Sequence, residues 1–169
     1  MNDEGVLVDN GRVFLLVEDN PDDAFLVQLE FSRSHSCRLC IVKDGQQAID
    51  YLQGKPPYTD RHEYPLPDVI LLDLKMPRTD GFDVLHWLRT QAASDEVALT
   101  PVIVMSSSTS AEDVKRAYKL GANLYMNKPV DWEQFREGLR LLGIFWCEYA
   151  GTVQHASADP RAIPAQAAD

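Results

Sequence analysis

A doubly wound α/β fold, a five-stranded parallel sheet in the order 2-1-3-4-5, is predicted by three features of this 169-residue chain. Short apolar runs alternate with segments of helical spacing, β then α, five times over. The runs at residues 13–17, 69–72 and 101–105 are continuously apolar, as strands covered on both faces must be. Four runs also end in polar groups. These are Glu18-Asp19, Asp73, Ser106-Ser107 and, one residue beyond the run 123–126, Lys128-Pro129. The order 2-1-3-4-5 sets strands 1, 3, 4 and 5 side by side, and ligands of such sheets sit outside the strands' carboxyl ends. Topology inferred from alternation therefore agrees with a site inferred from strand ends.

Residues 1–11 are expected to be a flexible leader. Strand 1 follows at about 13–17. Asn20-Pro21-Asp22-Asp23 then opens a helix: Asn20 caps it, Pro21 suits the first position, and two aspartates meet the positive end of the dipole. Ala24, Val27 and Phe31 form its buried stripe. Leu39-Cys40-Ile41-Val42 is strand 2, and Asp44-Gly45 leads to a short helix carrying Ala48, Ile49 and Leu52. Residues 54–67 hold four prolines and a glycine and read as a long loop, either functional or a plain insertion.

Strand 3 runs into the turn segment Lys75-Met76-Pro77-Arg78-Thr79-Asp80-Gly81, and the next helix buries Val84, Leu85 and Leu88. Strand 4 follows Pro101. Thr109 with Glu112 suggests a capping box for the fourth helix, which Gly121 ends. Strand 5 is short. The last helix starts near Asp131 and places Trp132, Phe135, Leu139 and Leu142 on one stripe. Residues 150–169, rich in Ala and Pro, are expected to be a disordered tail.

Bulk composition narrows the function. Hydrophobic residues make up 45% and charged residues 25%, ordinary for a globular protein. A net charge of −10 argues against a nucleic-acid surface, which needs clustered Lys and Arg. No stretch approaches the ~20 apolar residues of a membrane span, and the acidic start is unlike a signal peptide. A cytoplasmic location is expected. Cys37, Cys40 and Cys147 are read as thiols in a reduced compartment, because no second Cys or His pair accompanies the Cys37–Cys40 spacing.

Glu18, Asp19 and Asp73, if ionised together, would repel one another, and a hard divalent cation resolves the conflict. Mg²⁺ prefers oxygen ligands and keeps several waters. We assign it direct contacts from Asp19, Asp73 and the backbone carbonyl of Lys75, with Glu18 acting through water. Asp73, at the centre, is also suited to be a nucleophile that forms an acyl phosphate. In-line phosphoryl transfer needs positioning and neutralisation of the equatorial oxygens. The cation, the Ser106 hydroxyl and the Lys128 ammonium would each take one oxygen. Taken singly, each residue has a plainer explanation as a cap, a solvated charge or a loop residue. It is the coincidence at four neighbouring strand ends that argues for a site. A cis peptide at Lys128-Pro129 would aim the lysine.

With those residues in place, the chain resembles the receiver domain of bacterial two-component response regulators from about Val13 to Phe145. The resemblance rests on Val17-Glu18-Asp19-Asn20-Pro21, Leu72-Asp73-Leu74-Lys75-Met76-Pro77, Asp80-Gly81, Val104-Met105-Ser106-Ser107, Gly121-Ala122-Asn123 and Lys128-Pro129. It implies a flavodoxin-like receiver fold over residues 12–149. It makes Asp73 the phosphoacceptor, Glu18 and Asp19 the acidic pair, Ser106 the hydroxyl switch residue, Lys128 the phosphate-contacting lysine, and Tyr125 the aromatic that turns inward on activation. The long loop after the second helix, the segment 123–131 and Ile144-Phe145-Trp146 look like the stand-alone regulators associated with phytochrome-type histidine kinases. That likeness implies a bacteriophytochrome-type kinase as donor and a homodimer through the helix 4-strand 5-helix 5 face.

Two departures from the family pattern stand out. Ser106 replaces the commoner Thr, which keeps the hydroxyl and loses a stiffening methyl. Lys75, two residues after Asp73, would screen an acyl phosphate from water, so slow self-dephosphorylation is expected. The output would be a protein contact, dimerisation or onward phosphotransfer. An Mg²⁺-dependent aspartyl phosphohydrolase is the alternative, but it would want a second acid where Lys75 stands. A flavin carrier is a further rival, disfavoured by a carboxylate-lined site.

Overall fold

Helices cover both faces of one five-stranded sheet in this computed structural model, which describes residues 11–33, 37–128 and 131–146. The elements are β1 (Arg12–Val17), α1 (Pro21–Phe31), β2 (Cys37–Val42), α2 (Gly45–Gln53), β3 (Val69–Asp73), α3 (Gly81–Thr90), α4 (Asp95–Ala98), β4 (Val102–Ser106), α5 (Ala111–Lys119), β5 (Leu124–Asn127) and α6 (Trp132–Ile144). The sheet order is β2-β1-β3-β4-β5 and every pairing is parallel, as the alternation predicted. The expected leader, the tail and the Lys128-Pro129 peptide bond lie in whole or in part outside the described residues, as does Cys147.

Side chains alternate faces along a strand, and the two cores divide by that parity. Leu15, Val17, Ile70, Leu72, Val102 and Val104 pack with Ala48, Tyr51 and Leu52 of α2, Leu85 and Leu88 of α3, and Ala117 of α5. Phe14, Leu16, Val69, Leu71, Ile103 and Met105 pack with Val27 and Phe31 of α1 and with Phe135 and Leu139 of α6. Burial on both faces is the reason that β3 and β4 read as unbroken apolar runs.

Asn20 caps α1 as expected, its side-chain oxygen accepting from the Asp22 and Asp23 amides at 2.9 and 3.4 Å. The cap of α5 is a correction: Ser110, not Thr109, accepts from the Glu112 amide. The single turn α4 was not expected either. Ser94 caps it, but four residues with one buried side chain, Val97, are too short to show periodicity. The fourth and fifth helices of the sequence reading are therefore α5 and α6.

The segment 54–67 is packed rather than loose. Tyr58 and Tyr64 stack against Tyr51 of α2 and against each other, with ring centroids 5.2 to 6.0 Å apart. Arg61 donates to the Tyr51, Leu52 and Tyr64 carbonyls, so it satisfies the open end of α2. Cys37 is disulfide-bonded, against the expectation of a thiol, whereas Cys40 is free. The two pack on opposite cores, and spacing along the chain says nothing of which sulfurs meet in space.

Candidate functional site

Four parallel strands deliver the predicted residues to one end of the sheet. Glu18 and Asp19 follow β1, Asp73 ends β3, Ser106 ends β4 and Lys128 follows β5. Backbone bonds fix those ends: the Glu18 amide donates to the Val42 carbonyl at 3.0 Å, and the Lys128 amide to the Ser106 carbonyl at 2.8 Å. Carboxylate oxygens of Glu18, Asp19 and Asp73 lie within 4.8 Å of one another. Glu18 is 1% and Asp73 6% exposed, while Asp19 is exposed.

The Lys128 ammonium reaches across this nest. Its Nζ lies 2.6 Å from Glu18 Oε2, 2.9 Å from Asp23 Oδ2 and 3.0 Å from Asp73 Oδ2. Burial pushes the Glu18 carboxyl up to about 7; Lys128 opposes that rise and the Asp73 charge adds to it. Burial also works against the Lys128 charge, but the hydrogen bond to Glu18 and the charges of Asp73 and Glu18 outweigh it, and its pKa moves upward. Three close carboxylates, all hard oxygen donors, are chemistry that suits a small divalent cation. The residues present therefore fit a metal.

The turn after β3 is pulled tightly onto the Asp73 backbone. The Lys75 amide donates to Asp73 Oδ1 at 3.1 Å, and the Gly81 amide to the Leu74 carbonyl at 3.1 Å. A Cβ on Gly81 would sit 2.3 Å from the Asp73 carbonyl oxygen and 2.7 Å from Leu74 Cα. Only glycine permits that approach. Arg78, in the same turn, adopts a left-handed φ of 70° and pairs with Asp44, the cap of α2, at 2.8 Å. The Lys75 side chain is exposed, where a hydrolase would place its second acid.

Ser106 is fully buried, and its Oγ accepts from the Ser108 amide at 3.2 Å. Tyr125, half-buried against the first core, donates its hydroxyl to the Ser108 carbonyl at 2.9 Å. The hydroxyl residue and the aromatic are thus joined through one loop residue. Ser108 Oγ in turn donates to Asp113 of α5 at 2.6 Å.

Glu18, Asp19, Asp73 and Lys128 meet in one nest, Ser106 ends the strand beside Asp73, and Tyr125 is tied to Ser106 through Ser108. Two contributors were missed. Along the chain Asp23 shows only as a partner of the helix dipole, yet it touches Lys128. The available signal was that side chains in a helix's first turn lean back toward its N-terminus, which here faces the site. Ser108 carries its part through backbone atoms, and no residue type announces that.

The response regulator receiver domain model matches residues 14–140. Response regulator Rcp1 of Synechocystis sp. is 33% identical over 138 residues, covering 81% of this chain and 90% of that protein. The Mn(2+)-bound form of Rcp1 is similar with a TM-score of 0.73 at 32% identity, over 82% of this chain and 96% of that one. The phosphorylated cyanobacterial phytochrome response regulator RcpA gives a TM-score of 0.74 at 30% identity, over 82% and 95%. A response regulator in red light signaling of R. palustris gives 0.72 at 37% identity, over 81% and 94%. With the receiver-domain model matched over residues 14–140 and a 33% identical relative covered over 90% of its length, this chain belongs to the response regulator receiver-domain family and is a two-component signalling protein.

Proposed function

We propose that the chain is a phosphorylation-controlled switch in which Asp73 accepts phosphoryl from the phosphohistidine of a histidine kinase. The observation that carries this reading is the Lys128 ammonium 3.0 Å from Asp73 Oδ2, beside three carboxylates whose oxygens lie within 4.8 Å. A carboxylate oxygen of Asp73 attacks phosphorus, the histidine N–P bond breaks, and its electron pair returns to the imidazole, which takes a proton from solvent. Mg²⁺ would be held by Asp19, Asp73 and the Lys75 carbonyl, with Glu18 acting through water. When bound, it neutralises phosphoryl oxygens. Lys128 meets a second oxygen and the Ser106 hydroxyl a third, which draws Ser106 toward the phosphoryl group and leaves space for Tyr125.

That movement is a local charge event that biases a two-state element. Its readout is assigned to the face formed by α5, β5 and α6, the helix 4-strand 5-helix 5 face of the sequence reading. Tyr118, Leu124 and Leu141 are exposed on those elements, and Phe145 follows them. Such apolar groups suit a homodimer or a downstream protein. Trp146, by contrast, packs on the second core. A bacteriophytochrome-type kinase is the proposed donor, on the strength of the phytochrome regulator and red-light relatives. The cytoplasm is the matching compartment; no helix among the described residues is long and apolar enough to cross a membrane.

The test is mass spectrometry after incubation with acetyl phosphate and Mg²⁺. An increment of about 80 Da, the bare phosphoryl unit, is expected in the chain and absent from Asp73→Asn. Catalytic turnover of small phosphoesters without stoichiometric labelling would favour the phosphohydrolase instead.

A further inference from the structure

The ammonium of a lysine has three protons, and all three of Lys128's are committed. They go to Glu18 at 2.6 Å, Asp23 at 2.9 Å and Asp73 at 3.0 Å. To donate to a phosphoryl oxygen, Lys128 must release one of these partners. Glu18 is a poor choice, because its side chain is wholly buried and its 2.6 Å contact is the shortest of the three. Asp73 keeps a carbonyl oxygen in the acyl phosphate, an acceptor that the ammonium need not leave. Asp23 is one-third exposed, so water can replace the lysine at little cost. Its backbone is held independently by the Asn20 cap, and α1 need not move when the contact breaks.

We propose that Asp23 is the exchangeable counter-ion of Lys128: it parks the ammonium in the unphosphorylated state and is traded for a phosphoryl oxygen when Asp73 is modified. Asp23 is a positioning residue, acting through Lys128. This inference rests on Asp73 being the phosphoacceptor. Two consequences follow from the trade. The Asp23–Lys128 contact stabilises the resting state against the phosphorylated one, and a carboxylate beside the lysine opposes an arriving anionic phosphoryl group. Neutralising Asp23 removes both effects and shifts the balance toward the phosphorylated form. Asp22, in the same turn, gives a control of equal charge change that is not among the partners of Lys128.

The experiment titrates the full chain with beryllium fluoride, a phosphoryl mimic, in the presence of Mg²⁺, and follows bound fluoride by ¹⁹F NMR. Asp23→Asn is expected to bind the mimic about three- to fivefold more tightly than the parent, the upper part of the range of a partly exposed charge pair. Asp22→Asn should stay within about twofold. Asp23→Glu should restore parental affinity, and in a Lys128→Gln background Asp23→Asn should give no gain. Equal or weaker binding by Asp23→Asn would overturn the proposal, as would a gain that persists without Lys128. Failure of the parent to bind the mimic, or binding that survives Asp73→Asn, would instead sink the phosphoacceptor reading and this proposal with it.

Discussion

Tyr125 donates its hydroxyl to the carbonyl of Ser108 at 2.9 Å, and the amide of that same serine donates to the Ser106 hydroxyl oxygen at 3.2 Å. One loop residue is therefore gripped from both sides by the two groups assigned to the switch. In the proposed switch, a displacement of Ser106 toward a phosphoryl oxygen would pull on Ser108, and Ser108 would pull on the ring anchored to it. The two bonds would then carry the signal toward the surface formed by α5, β5 and α6.

Tyr125→Phe keeps the ring and deletes the donor. We expect a stability loss of about 1 kcal/mol, the net worth of one hydrogen bond. Phosphorylation of Asp73 should continue, while the phosphorylation-dependent change in assembly state should be weakened. Light scattering with and without beryllium fluoride checks this; an unchanged response in Tyr125→Phe would remove Ser108 from the route.

Glu18 makes the metal-free protein sensitive to pH in a definite direction. Its carboxyl is raised from 4.5 to about 7 in the folded chain. A raised carboxyl contributes stability that is fully present below the unfolded value and lost as pH rises through the folded one. Lys128, whose pKa also moves upward, stays charged throughout this window and adds no slope to it. Melting temperature should therefore fall between about pH 5 and pH 8, by an amount on the order of 2 kcal/mol in stability. Mg²⁺ should flatten the fall, and binding below pH 7 should release a proton. Calorimetry in buffers of different ionisation enthalpy would detect that proton, and a heat independent of buffer would contradict the prediction.

Gly81→Ala should cost about 2–3 kcal/mol. The added Cβ would lie 2.3 Å from the Asp73 carbonyl oxygen, a backbone atom that cannot swing aside as a flexible side chain can. Because the intrusion is against the peptide of Asp73, the proposed phosphoacceptor, phosphorylation by acetyl phosphate should slow as well. Urea melts and labelling time courses on the one variant test the two effects; a loss of stability with an unchanged labelling rate would mean that the turn absorbs the strain away from Asp73.

Lys75 is exposed two residues past Asp73, with its amide on Asp73 Oδ1. The cationic side chain is expected to shield the acyl phosphate from water. Lys75→Asn should shorten the phosphoryl lifetime several-fold, on the order of 1 kcal/mol in the hydrolysis barrier, with little effect on stability. Decay of the phosphorylated form followed by mass spectrometry measures it, and a lifetime that does not shorten rules out the screening role.

Much of this architecture was open to reading along the chain. Continuous apolar runs at β3 and β4, the Asn20-Pro21 helix start and the polar strand ends are local patterns, and each is imposed by the face that the residue must present. From them follow the parallel sheet, its order, and the convergence of Glu18, Asp19, Asp73, Ser106 and Lys128. The single turn α4 escaped because one turn has no period. The choice of Ser110 over Thr109 as cap escaped because both residue types cap helices and backbone geometry selects between adjacent candidates.

What only the tertiary structure decided is which groups complete one another's bonding. The third partner of the Lys128 ammonium is Asp23, 105 residues away in the chain. The link between Ser106 and Tyr125 runs through the backbone of Ser108. The disulfide at Cys37 belongs to the same class. Residue type and periodicity determine which element a residue joins and which way it faces. Distances between side chains on different elements, and hence the partition of three ammonium protons among several carboxylates, exist only once the sheet has brought those elements together.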